Sequence, residues 1–131
     1  MKFELKVAQH ASVVTLPIRM FMAHTPTYRA ALIDYIDRGH TRLVIDMQHL
    51  EYIDSSGLSV LISARNQALN YQGNIVLLSP SPAVRSLIEL TRLHHIFEIF
   101  ETEKLALEFL RHSSIVEESD FDKRVIADLA S

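Results

Sequence analysis

Leu43-Val44-Ile45 and Ile75-Val76-Leu77-Leu78 are nearly continuous apolar runs, too short to be helices and bounded by turn residues. Runs of this kind suit strands covered on both faces. Helical patterns alternate with them. Tyr28, Leu32, Tyr35 and Ile36 follow a helical period over roughly Pro26 to Arg38, with Thr25 as cap, Pro26 at the first helical position and Gly39 as stop. Leu58, Leu61, Ile62, Ala68 and Leu69 form a second stripe that ends at Asn70-Tyr71-Gln72-Gly73. Ser81 and Pro82 open a third helix, with Val84, Leu87, Ile88 and Thr91 inward. Strands alternating with helices imply parallel pairing through right-handed crossovers.

The flanks complete the pattern. Phe3, Leu5 and Val7 alternate with polar residues, giving a half-buried first strand, and His10-Ala11-Ser12 turns it back. Val13-Val14-Thr15-Leu16 is a second strand, which Pro17 limits or places at an edge. Ile18 to Met22 reads either as more strand or as an apolar loop. Within it, Met20-Phe21-Met22 reads as core or strand in preference to an exposed docking patch. His94-His95 turns the chain into a last strand, Ile96 to Phe100, and Thr102 caps a final helix carrying Leu105, Ala106, Phe109 and Leu110. The expected fold is one α/β domain over residues 1–112. It has a mixed sheet of about five strands and about four helices packed mainly on one side. Residues 113–131 form an acidic tail in which Val125, Ile126 and Leu129 could make one short amphipathic helix.

Composition excludes several classes. At 131 residues the chain is long enough for one domain that buries roughly two-thirds of its unfolded surface. A net charge of −3 with no basic stripe gives no nucleic-acid footprint. No apolar run approaches the roughly 18 residues needed to span a membrane, so no direct insertion is expected. Without cysteine there is neither a disulfide nor thiolate chemistry, and the seven histidines show no paired ligand spacing, so no metal is expected. The alternating N-terminus reads as a strand, not a signal peptide, and cytoplasmic residence fits best.

Asp54-Ser55-Ser56-Gly57 stands between a short loop and the second helix. Two hydroxyls are therefore placed at a helix start, where unpaired N–H groups and the helix dipole favour negative charge. No histidine is close to either serine in sequence, and the Gly-x-Ser-x-Gly elbow is missing, so no catalytic residue and no cofactor is expected. A serine there is better suited to be the substrate of another enzyme. Gly57, lacking a Cβ, allows a partner backbone or a nucleotide phosphate to come close. Ser59, Ser63, Asn66, Gln67 and Asn70 make an uncharged polar stripe on the second helix that could sit beneath a partner. Leu58, Ser59, Ser63, Asn66 and Gln67 are the expected partner contacts. Asp34 and Asp37 read as the wet side of the first helix.

Leu43 through Phe100 resembles the STAS family, and within it the bacterial anti-sigma factor antagonists. The carrying residues are Leu43-Val44-Ile45-Asp46, Asp54-Ser55-Ser56-Gly57-Leu58, Gly73-Asn74-Ile75-Val76-Leu77, Ser81-Pro82-Ala83-Val84 and Leu93-His94-His95-Ile96-Phe97. With its flanks the likeness spans Phe3 to Leu110. It implies a partner-switching role: the unphosphorylated protein binds an anti-sigma factor that is also a serine kinase, phosphorylation separates them, and a metal-dependent serine phosphatase reverses the mark. Carried over, Ser55 is the phosphoacceptor, with Ser56 as the alternative, and Asp54, Ser56 and Gly57 are its setting. Asp54 either adds a second negative charge beside the phosphate or orients the hydroxyl. The sequence departs from the family at Pro17-Ile18-Arg19-Met20, which replaces a Gly-x-Leu-Asp-like stretch, and in the tail. A non-catalytic scaffold or accessory subunit of a transporter or stress-sensing assembly is the competing reading.

Overall fold

The structure is a computed structural model that describes residues 4–8, 10–21 and 23–111; the expected acidic tail lies outside the described residues. Its main sheet has five strands: β1 (Glu4–Ala8), β2 (Ala11–Thr15), β4 (Arg42–Asp46), β6 (Asn74–Leu78) and β7 (Ile99–Phe100), side by side in that order. β1 runs antiparallel to β2, and the other pairs are parallel. A separate two-stranded ribbon joins β3 (Arg19–Met20) to β5 (Tyr52–Ile53) in parallel. The helices are α1 (Thr25–Asp37), α2 (Ser55–Asn70), α3 (Pro82–Leu90) and α4 over residues 103–111.

The period of two along each strand sorts the core onto two faces. One register row runs Leu5, Val14, Ile45, Leu77, Ile99 across the sheet. It faces α1, α2 and α3, which contribute Leu32 and Ile36, Leu61 and Ala64, and Val84 and Ile88 to the larger cluster. Val13, Val44 and Val76 point the other way and meet Ala106 and Leu110 of α4. The expected mixed sheet of five strands with most helices on one side is therefore what forms. The continuous apolar runs at β4 and β6 reflect cover on both faces.

Several local expectations give way. His24, not Thr25, is the N-cap of α1, and it makes no side-chain cap bond; Thr25 is the first helical residue and is buried. Gly39 does end the helix, at φ 113°. β2 is interior, not an edge, because Pro17 falls beyond its last residue and costs no ladder bond. The last strand is only Ile99–Phe100, since Arg92 at φ 64° starts a 3₁₀ turn over Leu93–His95 that carries Ile96 to the surface. On α2 the buried stripe includes Val60 and Ala64, and Leu69 is exposed; on α4 Leu105 is 50% exposed while Ala106 is buried. In both helices the apolar face lies one residue from where the bulkier leucine suggests. Met20 is core as expected, and Met22 lies outside the described residues. The caps at Ser81 and Thr102 form, accepting from the amides of Val84 and Leu105.

Candidate functional site

The loop after β4 leads into β5 and then directly into α2. The ribbon fixes that junction. Ile18 accepts from the amides of Glu51 and Tyr52 at 2.7 and 3.2 Å, and Met20 accepts from the amide of Asp54 at 3.3 Å. Asp54 is the N-cap, with extended backbone at φ −102°, ψ −176°. Its Oδ1 accepts from the Gly57 amide at 3.0 Å and from the Ser56 hydroxyl at 2.6 Å. One carboxylate oxygen thus satisfies a helix-start donor and holds the second serine at the same time.

The two serines part company here. Ser55 is the first helical residue, is exposed, and its hydroxyl makes no hydrogen bond among the described residues. Ser56 is half-buried and donates to Asp54. Gly57 is buried, and its open side is filled by the chain itself. A Cβ there would stand 2.5 Å from Ile53 Cγ1 and 3.1 Å from the Met20 carbonyl oxygen. The close approach expected of a partner backbone or nucleotide phosphate is made instead by Ile53 and Met20.

The expected contact surface also changes. Leu58 is 4% exposed and belongs to the core, so its side chain offers nothing to a partner. Ser59 accepts from Arg29 Nη2 at 3.3 Å, and Gln67 donates to Asp37 at 2.7 Å. Asp37 also accepts from the Tyr71 hydroxyl at 2.9 Å, so it is a tie to α2 and not merely the wet side of α1. That hydrogen bond, with some burial and the carboxylate charge, raises the Tyr71 pKa above the ordinary tyrosine value. Asp34 pairs with Arg38 one turn on, at the surface. Ser63 is half-buried and Asn66 exposed. Two members of the polar stripe, Ser59 and Gln67, are thus bonded to α1.

Sequence reasoning missed the exposed apolar side chains on the ribbon that leads into the helix start. Ile18 and Tyr52 are 49% and 50% exposed, and the Phe21 and Tyr52 rings stand 4.9 Å apart. They lie on the ribbon that ends at Asp54. The only local signal was the unusual Pro17-Ile18-Arg19-Met20 stretch. Among the described residues no group of three or more His, Cys, Asp or Glu could hold a metal ion, and no helix is long and apolar enough to cross a membrane.

Comparison with known proteins gives this geometry a context. BtrV of Bordetella bronchiseptica, named as an anti-sigma factor antagonist, is 32% identical over 84 residues, covering 64% of this chain and 72% of BtrV. The anti-sigma factor antagonist SpoIIAA in its unphosphorylated form has the same fold, with a TM-score of 0.73 at 24% identity over 85% of this chain and 97% of that one. The phosphorylated form of the Bacillus protein gives 0.65 at 23% identity, over 82% of this chain and 97% of that one. The STAS domain signature matches residues 2–106, and with the sheet order and helix placement already described, the chain belongs to the STAS domain family.

Proposed function

We propose that this domain is a partner switch of the anti-sigma factor antagonist type. Unphosphorylated, it docks on an anti-sigma factor that is also a serine kinase. In the complex the Ser55 oxygen attacks the γ-phosphorus of the kinase's ATP. The bond from that phosphorus to the β–γ bridging oxygen breaks, ADP leaves, and the serine proton passes to a base on the kinase. A metal-dependent serine phosphatase restores the hydroxyl by hydrolysis. The domain is substrate and ligand in this scheme, not catalyst, and acts in the cytoplasm.

The observation that carries this reading is the contrast at the helix start: Ser55 is exposed and makes no hydrogen bond among the described residues, while Ser56 is held by Asp54 at 2.6 Å. Asp54 therefore serves as cap and as anchor of the neighbouring serine; the Ser55 hydroxyl is not one it holds. The relatives' names support an anti-sigma factor as the partner, and the two solved forms of SpoIIAA support a fold compatible with phosphate. A phosphoryl group adds about −1.5 to −2 charge at pH 7. At a helix start the domain tolerates it, whereas an interface that had excluded water there does not. A loss of about 3 kcal/mol weakens a complex more than a hundredfold.

The test is incubation with the cognate kinase and ATP, followed by mass mapping. Phosphate is expected on Ser55 and absent in Ser55→Ala, which keeps kinase binding, while Ser55→Asp weakens it. Undiminished labelling of Ser55→Ala would overturn the assignment.

A further inference from the structure

We infer that Arg29 of α1 is the receptor for a phosphoryl group on Ser55, a latch that ties the modified helix start to the neighbouring helix. This rests on the reading of Ser55 as the acceptor. The argument begins with how the two helices lie. Arg29 meets Ser59, and Asp37 meets Gln67, each pair thirty residues apart. A constant offset means that α1 and α2 run parallel and in step. By the same offset, Ser55 stands level with Thr25 at the start of α1.

Arg29 is therefore one turn above Ser55, about 6 Å along the axis. In a helix the Cα–Cβ bond tilts toward the N-terminus, so Arg29 leaves α1 pointing down toward the level of Ser55. Ser59 and Ser55 are four residues apart on one face of α2, where side chains are neighbours with Cβ atoms about 5–6 Å apart. A guanidinium already resting on Ser59 thus needs only a rotamer change to reach a group attached to Ser55.

The chemistry favours the exchange. The present bond is a long one, 3.3 Å, from an exposed arginine to a neutral hydroxyl. A phosphate dianion offers a charged acceptor, and such bonds are roughly twice as strong as neutral ones and can be bidentate with arginine. The Asp54 carboxylate, one residue away, repels the phosphate and makes a counter-charge more valuable. Arg19, exposed on β3 in register with Tyr52, is the other cation on the adjoining elements. Its strand ends behind Asp54, whereas Arg29 already touches the serine face of α2.

The experiment uses the full chain with phosphoserine installed at position 55 by genetic encoding, so it does not depend on any kinase accepting that residue. The phosphate is titrated by ³¹P NMR in the parent and in Arg29→Ala, Arg29→Lys and Arg19→Ala. In the parent the second phosphate pKa is expected below the value of about 6 for phosphoserine. Arg29→Ala is expected to raise it by a few tenths of a unit, the size of an exposed ion pair. Arg29→Lys should restore part of the difference, and Arg19→Ala should leave it unchanged. The Arg29 side-chain NH resonance should shift on phosphorylation in the parent. A phosphate pKa identical in parent and Arg29→Ala, or one that moves only with Arg19→Ala, overturns the latch. Failure of the kinase to label Ser55 in the separate assay overturns the switch and not the latch geometry.

Discussion

Gly57 offers a sharp test of how the helix start is packed. A methyl group at this position meets Ile53 Cγ1 at 2.5 Å and the Met20 carbonyl oxygen at 3.1 Å, and Ile53 is itself buried. Forcing an extra methyl into a filled site costs about 1–3 kcal/mol. Replacing glycine by alanine inside a helix returns up to about 1 kcal/mol. Gly57→Ala should therefore lower stability by up to about 2 kcal/mol on those two figures. Ile53→Ala alone should cost about 2–5 kcal/mol, as other buried truncations do. In the Ile53→Ala background the nearest obstructing atoms, Ile53 Cγ1 and Cδ1, are gone, and the Met20 carbonyl oxygen at 3.1 Å has room to give by the few tenths of an ångström a methyl needs. There Gly57→Ala should become stabilising, because the helix gain remains and the new methyl occupies part of the void. The sign of one substitution thus reverses with its neighbour, a coupling of about 1–3 kcal/mol. Urea denaturation of the four proteins, followed by circular dichroism, measures it. Equal costs for Gly57→Ala in both backgrounds would refute the account and return the glycine to a role in admitting a partner.

Other outcomes follow from the same geometry. Asp54→Ala removes the acceptor for the Gly57 amide and releases Ser56; stability should fall by about 0.5–2 kcal/mol, with Asp54→Asn costing less, as read by denaturant midpoint. Leu58→Ala should cost about 2–5 kcal/mol because the side chain is core, whereas Leu105→Ala, at an exposed site, should stay within about 0.5 kcal/mol; thermal unfolding separates them. The Tyr71 hydroxyl holds its proton above the ordinary tyrosine value of 10.0 because it donates to Asp37. Unfolded tyrosine ionises first, so the folded state binds more protons in that window and stability should fall as pH rises from about 10. In Asp37→Asn one tyrosine should titrate earlier by ultraviolet absorbance, and that part of the alkaline loss should shrink.

The covered strands were legible because burial on both faces demands uninterrupted apolar residues, which β4 and β6 display. The start of α2 was legible because an aspartate that accepts from the third residue on is a local device, complete within four residues. The ribbon was not. β3 and β5 have two residues each, and their pairing rests on the Ile18 and Met20 carbonyls meeting amides more than thirty residues away. The polar stripe on α2 was visible, but its role was not, since Ser59 and Gln67 acquire partners only once α1 lies beside them. Gly57 was singled out for the right property, lack of a Cβ, and assigned the wrong neighbour, because Ile53 approaches from the strand that precedes it. Ala68 and Ala106 are inward as expected, but Leu69 and Leu105, counted with them for their size, are exposed because each lies one residue off the packed face.

The ribbon gives the domain a division of labour. Its two short strands stand outside the five-stranded sheet, whose own ladder runs on through Asp46, Leu78 and Phe100 without them. Elements with few backbone bonds open locally at far lower free energy than a central strand. The ribbon is thus mounted like a bracket on a girder: Met20 and Ile53 bolt it to the core, while the outward side chains of Ile18, Arg19 and Tyr52 can change without touching the girder that keeps the domain folded.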